Sequence, residues 1–268
     1  MTTVNTKQNT SLPVSFFLKL KSRNQLLYFY GWLQFAGAFI CSLLMWFDSD
    51  NIVMGINAWI KPLKFFLSIG ILSWTLSWLL VYWNNSKAVR IYSIVTVLTM
   101  IIEMVIITWQ AANGRLSHFN IGTPLYGILF SIMGIAITLF TLCTLYMNLL
   151  FFRQKNFPVW MSDGYMWGIR WGLLLFVLFA FEGGVMAAML QHSVGKTDGS
   201  DGVPFLNWSK EAGDLRVAHF FGMHALQLLP ICGYWFAQSR SQIHLLSFIY
   251  FLCVSLLLWQ ALEGYPIL

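Results

Sequence analysis

The sequence predicts an all-α, polytopic membrane protein with seven transmembrane helices. Three observations predict it. Hydrophobic residues make up 58% of the 268 residues and charged residues only 10%, against about a quarter charged in a soluble domain. Mean hydropathy is +0.67. The apolar residues gather into seven runs, 26–47, 63–83, 91–112, 124–151, 165–190, 217–237 and 245–265. Each is long enough to cross about 30 Å of hydrocarbon at about 1.5 Å per residue. A soluble α-domain is excluded, because the runs are too long and too free of charge.

Residues 1–25 are expected to form a cytoplasmic tail. The tail is polar, carries Lys7, Lys19, Lys21 and Arg23, and lacks a small-x-small cleavage site before the first span, so it does not read as a cleaved signal. Within it, 14–20 reads either as a short amphipathic turn at the interface or as an unstructured tail. Residues 26–268 are expected to form the membrane domain. Thr123-Pro124 supplies an N-cap and a first-turn proline to the fourth span. Asp214 can cap the sixth span, and Pro230 should kink it. Cys41, Cys143, Cys232 and Cys253 lie inside apolar runs without metal-ligand spacing and read as small core residues. Arg170, near the start of the fifth span, reads as a snorkelling side chain.

Orientation follows from the basic residues. One side carries Lys7, Lys19, Lys21, Arg23, Lys87, Arg90, Arg153, Lys155 and Arg240. The other carries Lys61, Lys64, Arg115, Lys196, Lys210 and Arg216. The bias places the N-terminus in the cytoplasm and Leu268 outside, as expected for a multi-pass inner-membrane protein. Much of the net charge of +6 sits in loops, and it needs no nucleic acid to explain it. The loop 191–215 is then extracytoplasmic. Its Asp198-Gly-Ser-Asp-Gly202 stretch reads as a polar turn rather than a calcium loop. Its apolar stretch, 203–208, is suited to rest on the bundle mouth as a lid.

Two segments echo each other. Lys61-Pro-Leu-Lys64-Phe-Phe opens span two, and Arg216-Val-Ala-His219-Phe-Phe opens span six. Trp109-Gln110 near the end of span three matches Trp259-Gln260 near the end of span seven. The pattern suggests a 3+1+3 parallel pseudo-repeat, with spans 1–3 and 5–7 around span four. Chance is the alternative in a chain this rich in Phe and Trp.

Burying polar groups in hydrocarbon is costly, so those inside the spans are informative. Glu103, Glu182 and His224 fall on spans three, five and six at one depth, roughly 10–14 Å below the outer surface. Lys64, Gln110, His219 and Gln260 lie nearer that surface, and His118 lies on an outer loop. A shared polar cavity open to the outside is the expectation. His219 and His224 are about 140° apart around their helix and can face different partners.

Three readings follow. In the first, His219, His224, Glu103 and Glu182 ligate zinc or iron, or His118 and His219 ligate haem. Glu103, Glu182 and His224 would then serve redox or hydrolytic chemistry on a small or lipidic substrate. In the second, the protein transports a small solute, ion or lipid, with buried carboxylates relaying protons or holding a cation. Either way, the substrate contacts are Lys61, Lys64, Gln110, Arg115, Arg216, Gln227 and Gln260. In the third, Glu103 and Glu182 pair with His224 and Gln227 and only hold a structural or assembly protein together. The metal or haem reading is the leading expectation.

Trp59-Ile-Lys-Pro-Leu-Lys64, Arg115-Leu-Ser-His-Phe-Asn120 and Gly213-Asp-Leu-Arg-Val-Ala-His-Phe-Phe-Gly-Met-His-Ala-Leu-Gln-Leu-Leu-Pro230 together resemble the signature of a family of bacterial multi-span inner-membrane proteins. The resemblance implies the fold and the location and carries no activity. Seven-span zinc hydrolases of membranes are similar in span number, but their paired histidines are spaced differently, so no residue role is carried over from them.

Overall fold

The computed structural model describes residues 12–199 and 202–267. Lys7, Ser200, Asp201 and Leu268, named above, lie outside them. Among the described residues there are eight α-helices: α1 (Leu12–Arg23), α2 (Gln25–Phe47), α3 (Ile60–Leu79, continued by a 3-10 turn to Tyr82), α4 (Ser86–Ala112), α5 (Pro124–Arg153), α6 (Asp163–Met189), α7 (Leu215–Trp235) and α8 (Arg240–Leu262). Two short hairpins, β1–β2 (Ile52–Val53 with Ile56–Asn57) and β3–β4 (Ser193–Val194 with Gly213–Asp214), lie in the loops.

The chain is a helical membrane protein. Six helices, counting α3 with its 3-10 end, are long and apolar enough to cross a bilayer. The sequence predicts a seventh, α7. It is 21 residues long, but Arg216, His219, His224 and Gln227 lower its hydropathy. The helices also begin earlier than the apolar runs that announce them. α8 starts at Arg240, where Ser239 and Gln242 form a capping box. Asn85, Thr123, Ser162 and Asp214 accept from first-turn N–H groups of their helices. Caps are polar, so they lie outside the hydrophobic run.

The tail forms a helix through Arg23 rather than a turn. Leu20 of α1 is fully buried, and Ser77 of α3 donates to its carbonyl at 3.0 Å. Val14, Phe16 and Leu18 stay exposed on the other face.

Successive long helices alternate in direction, so the bundle has two ends. The α1 end carries α1 and the 154–162 connection. The lid end carries both hairpins and the 190–214 loop.

Small residues set the closest approaches. α6 and α7 pack backbone to backbone: a Cβ on Gly168 would meet the Leu229 carbonyl oxygen at 2.5 Å, and one on Gly172 the Ala225 carbonyl oxygen at 2.8 Å. α2 and α3 pack backbone to ring: a Cβ on Gly37 would meet Phe66 at 2.4 Å. α4 packs on α2, α3 and α5, and α8 on α6 and α7.

Arg170 does not snorkel. Its guanidinium is buried and donates to the carbonyls of Phe151, Phe152 and Gln154 at 3.2–3.4 Å, capping the C-terminus of α5. The rings of Phe151, Phe152, Phe157 and Trp167 surround it.

Candidate functional site

The lid end gathers charge onto the mouth of the bundle. Lys61 and Lys64 lie one turn apart at the start of α3. The charges acting most strongly on Lys61 are Arg216, Lys64, Glu103 and Asp198. Lys61 is half-buried. Among the described residues it has neither a hydrogen-bond nor an ion-pair partner. Glu103, buried on α4, feels the Lys61 ammonium as its charged neighbour. Its Oε1 accepts no hydrogen bond from the described residues.

The lid is tied down by the other two cations. Lys64 Nζ donates to the Leu206 carbonyl at 3.0 Å. Arg216 donates to the Asn207 carbonyl and grips Asp214 through Nε at 2.9 Å and an η nitrogen at 2.6 Å. Asp214 also caps α7 and accepts from the Ser209 N–H at 2.7 Å. Trp208 of the lid packs edge-on against Phe220 and tilted against Phe221. Phe205 and Asn207 take positive φ values of 65° and 56°, uncommon for residues other than glycine.

Three histidines reach this mouth from three elements. His118 comes from the α4–α5 loop, with Phe65, Phe119 and Phe130 around it. Removal from water, and then Lys61, His192 and His219, hold its pKa well below 6.5. His192 follows α6. Its Nδ1 lies 2.7 Å from Asp198 Oδ2, and Asp198 also accepts from the backbone N–H groups of His192 and Ser193. Burial lowers the His192 pKa and outweighs the opposing pull of Asp198. For Asp198, burial acts upward, but the hydrogen bonds from His192 and Ser193 win and its carboxyl is held below the usual range. The pair at neutral pH is therefore a neutral imidazole donating to a carboxylate.

His219, on α7, crosses to α6. Its Nδ1 donates to the Phe179 carbonyl at 2.7 Å and lies 3.1 Å from Glu182 Oε2. Neither Glu182 oxygen accepts a hydrogen bond from the described residues. A carbonyl can only accept, so Nδ1 carries a proton.

The structure therefore brings Lys61, Lys64, Arg216, Glu103, His118 and His219 into one field, with Glu182 attached through His219. It separates others from this group. His224 Nδ1 turns back to the Phe220 carbonyl of its own helix at 2.7 Å and lies against the Phe220 ring. Neither Glu103 nor Glu182 is among its partners. Gln227 donates to Thr75 of α3 at 3.3 Å. Arg115 lies over Tyr126, and Gln260 donates to the Pro266 carbonyl at 2.6 Å. Gln110 is buried on α4, and its Oε1 has no partner among the described residues.

Sequence reasoning read Asp198 only as part of a polar turn and gave His192 no role, though both join the cluster, and it passed over Tyr30 and Gln34 of α2. Tyr30 and Gln34 are buried, and their Oη and Oε1 atoms have no hydrogen-bond partner among the described residues. A polar pair four apart inside an apolar run was the available signal.

Among the described residues no three His, Cys, Asp or Glu side chains converge as ligands. No protein-family model matches the chain, and no curated protein or solved structure does either. Fold and geometry define a polytopic helical membrane protein with a lidded, charged cluster at one end.

Proposed function

We propose that the chain is a seven-span inner-membrane transporter that takes up a small anionic solute, bearing a carboxylate or phosphate, at its extracytoplasmic mouth. The observation that carries this reading is Lys61. It has no partner among the described residues, yet it lies in the field of Arg216 and Lys64. A half-buried cation beside two others is stabilised by an anion. Lys64 and Arg216 hold a lid over the same mouth through backbone carbonyls, so lid release frees donors for the solute.

Two further features support the architecture. α7, at 21 residues, spans about 31 Å at 1.5 Å per residue, and Arg216, His219, His224 and Gln227 each have a polar partner within the protein. The positive-inside bias puts α1 in the cytoplasm and the lid outside. A parallel repeat of α2–α4 with α6–α8 fits the two glycine-packed pairs, α2–α3 and α6–α7.

Calorimetry on protein in lipid nanodiscs, with a panel of small carboxylates, inorganic phosphate and soluble glycerophosphate headgroups, tests the reading. At least one anion should bind, and Lys61→Met should weaken it at least about 30-fold. Absence of binding, or an unchanged Lys61→Met variant, overturns it. A Soret band, or stoichiometric zinc or iron by elemental analysis, would replace it with the metal or haem reading.

A further inference from the structure

α4 carries a polar row along its buried face. Ser93, Thr96, Thr99, Glu103 and Gln110 are each at most 4% exposed. At 100° per residue they fall within an arc of about 120°, so one face presents them all. α2 packs against α4, and the two are pinned at both ends: Asn24 Nδ2 donates to Ser93 Oγ at 2.8 Å, and Asn51 Nδ2 to the Ala111 carbonyl at 3.0 Å. α2 adds Tyr30 and Gln34, 5% and 2% exposed.

The hydrogen bonding of this row is incomplete. Ser93, Thr96 and Thr99 each donate to the carbonyl four residues back at 2.8 Å, which leaves the hydroxyl oxygens able to accept. Tyr30 Oη, Gln34 Oε1, Glu103 Oε1 and Gln110 Oε1 have no hydrogen-bond partner among the described residues. Four such atoms in a dry, purely structural seam would be costly.

The row runs from the charged cluster at one end to a cavity at the other. At the lid end Glu103 lies in the field of Lys61. At the α1 end Asn24 and Ser93 line a cavity of about 490 Å³ between α2, α3 and α4, and Arg90 stands in its wall.

We propose that the α2–α4 seam is a proton path from the lid-end cluster to this cavity. Glu103 takes a proton from the lid side. Tyr30, Thr99, Thr96 and Ser93, with water filling the spaces between them, pass one on, each of the α4 hydroxyls turning off its own-helix carbonyl to release its proton as it accepts another. The net event is movement of one proton, with no change of oxidation state. Coupling of that proton to solute entry rests on the anion reading above; the path itself does not.

The test uses the full chain in liposomes that contain a pH dye, with a potassium diffusion potential as the driving force. Wild type should acidify the lumen at least tenfold faster than protein-free liposomes. Thr99→Val keeps shape and removes one hydroxyl, and it should slow flux at least tenfold while anion affinity stays within twofold. Glu103→Gln should abolish flux. Thr138→Val, on the exposed face of α5, should conduct like wild type. Wild-type flux no faster than empty liposomes, or Thr99→Val flux equal to wild type, overturns the path. If the anion reading alone is wrong, Lys61→Met changes no binding while flux still depends on Thr99.

Discussion

The two ends of the bundle hold their buried charges with different numbers of partners. At the α1 end one η nitrogen of Arg170 donates to three carbonyls and four aromatic rings surround the guanidinium, although its Nε has no hydrogen-bond partner among the described residues. Arg23 there donates to the Trp78 carbonyl at 2.7 Å and to Tyr82 Oη at 3.0 Å, with its guanidinium 3.9 Å from the Trp78 ring centroid. At the lid end Lys61 has no hydrogen-bond or ion-pair partner among the described residues, and Glu103 Oε1 and both Glu182 oxygens accept no hydrogen bond from them, although Glu182 Oε2 lies 3.1 Å from His219 Nδ1. A charge held by several carbonyls and rings puts its energy into the fold. An unsaturated charge costs stability until something binds. The difference separates arginines that build the bundle from side chains that serve it.

The largest effect expected from this contrast is at the α1 end. Arg170→Leu strips the cap from α5 and should cost roughly 2–4 kcal/mol. Unfolding in a graded denaturing detergent measures it, and anion affinity of the folded fraction should stay within twofold. A loss of affinity with no loss of stability would erase the distinction between the ends.

A smaller effect is expected at Glu182. Glu182→Gln removes a charge that accepts no hydrogen bond, so stability should change by less than about 1 kcal/mol. Anion affinity should rise a few-fold, because a negative charge has left the mouth. A large destabilisation would place Glu182 among the structural groups.

The smallest effect is a pH slope. His118 and His192 are held below 6.5 in the fold. Below that value the unfolded chain takes up protons that the native chain refuses. Stability therefore falls as pH drops below 6.5 towards the folded values, and is fully present above it. Melting curves at pH 7.5 and 5.5 should show the loss, and His118→Gln should flatten it. A slope of opposite sign would mean that these imidazoles are charged in the fold.

Much of the fold was legible because hydrocarbon permits few alternatives. Apolar runs located the helices to within a few residues, and the offsets trace to caps such as Ser239 and Asn85, whose polar chemistry lies outside the run. The site was legible in depth but not in azimuth. Counting residues put Glu182 and His224 at one level, yet α7 turns His219, not His224, towards α6. Depth says nothing about which way a helix faces. His192 was missed because the 190–214 loop folds back, with the Leu215 N–H reaching the His192 carbonyl at 3.0 Å, and a loop's return path leaves no periodic trace. Arg170 was misread because its acceptors sit on α5, in a different part of the chain.

The central claim is that the lid-end cluster is left unsatisfied for a ligand. Measuring stability and anion affinity together on Lys61→Met tests it most directly. Removing a lone ammonium from a half-buried site should leave stability unchanged or raise it by up to about 1 kcal/mol, while affinity falls at least about 30-fold. Marked destabilisation with affinity intact would show that Lys61 is a structural group like Arg170, and would contradict the account.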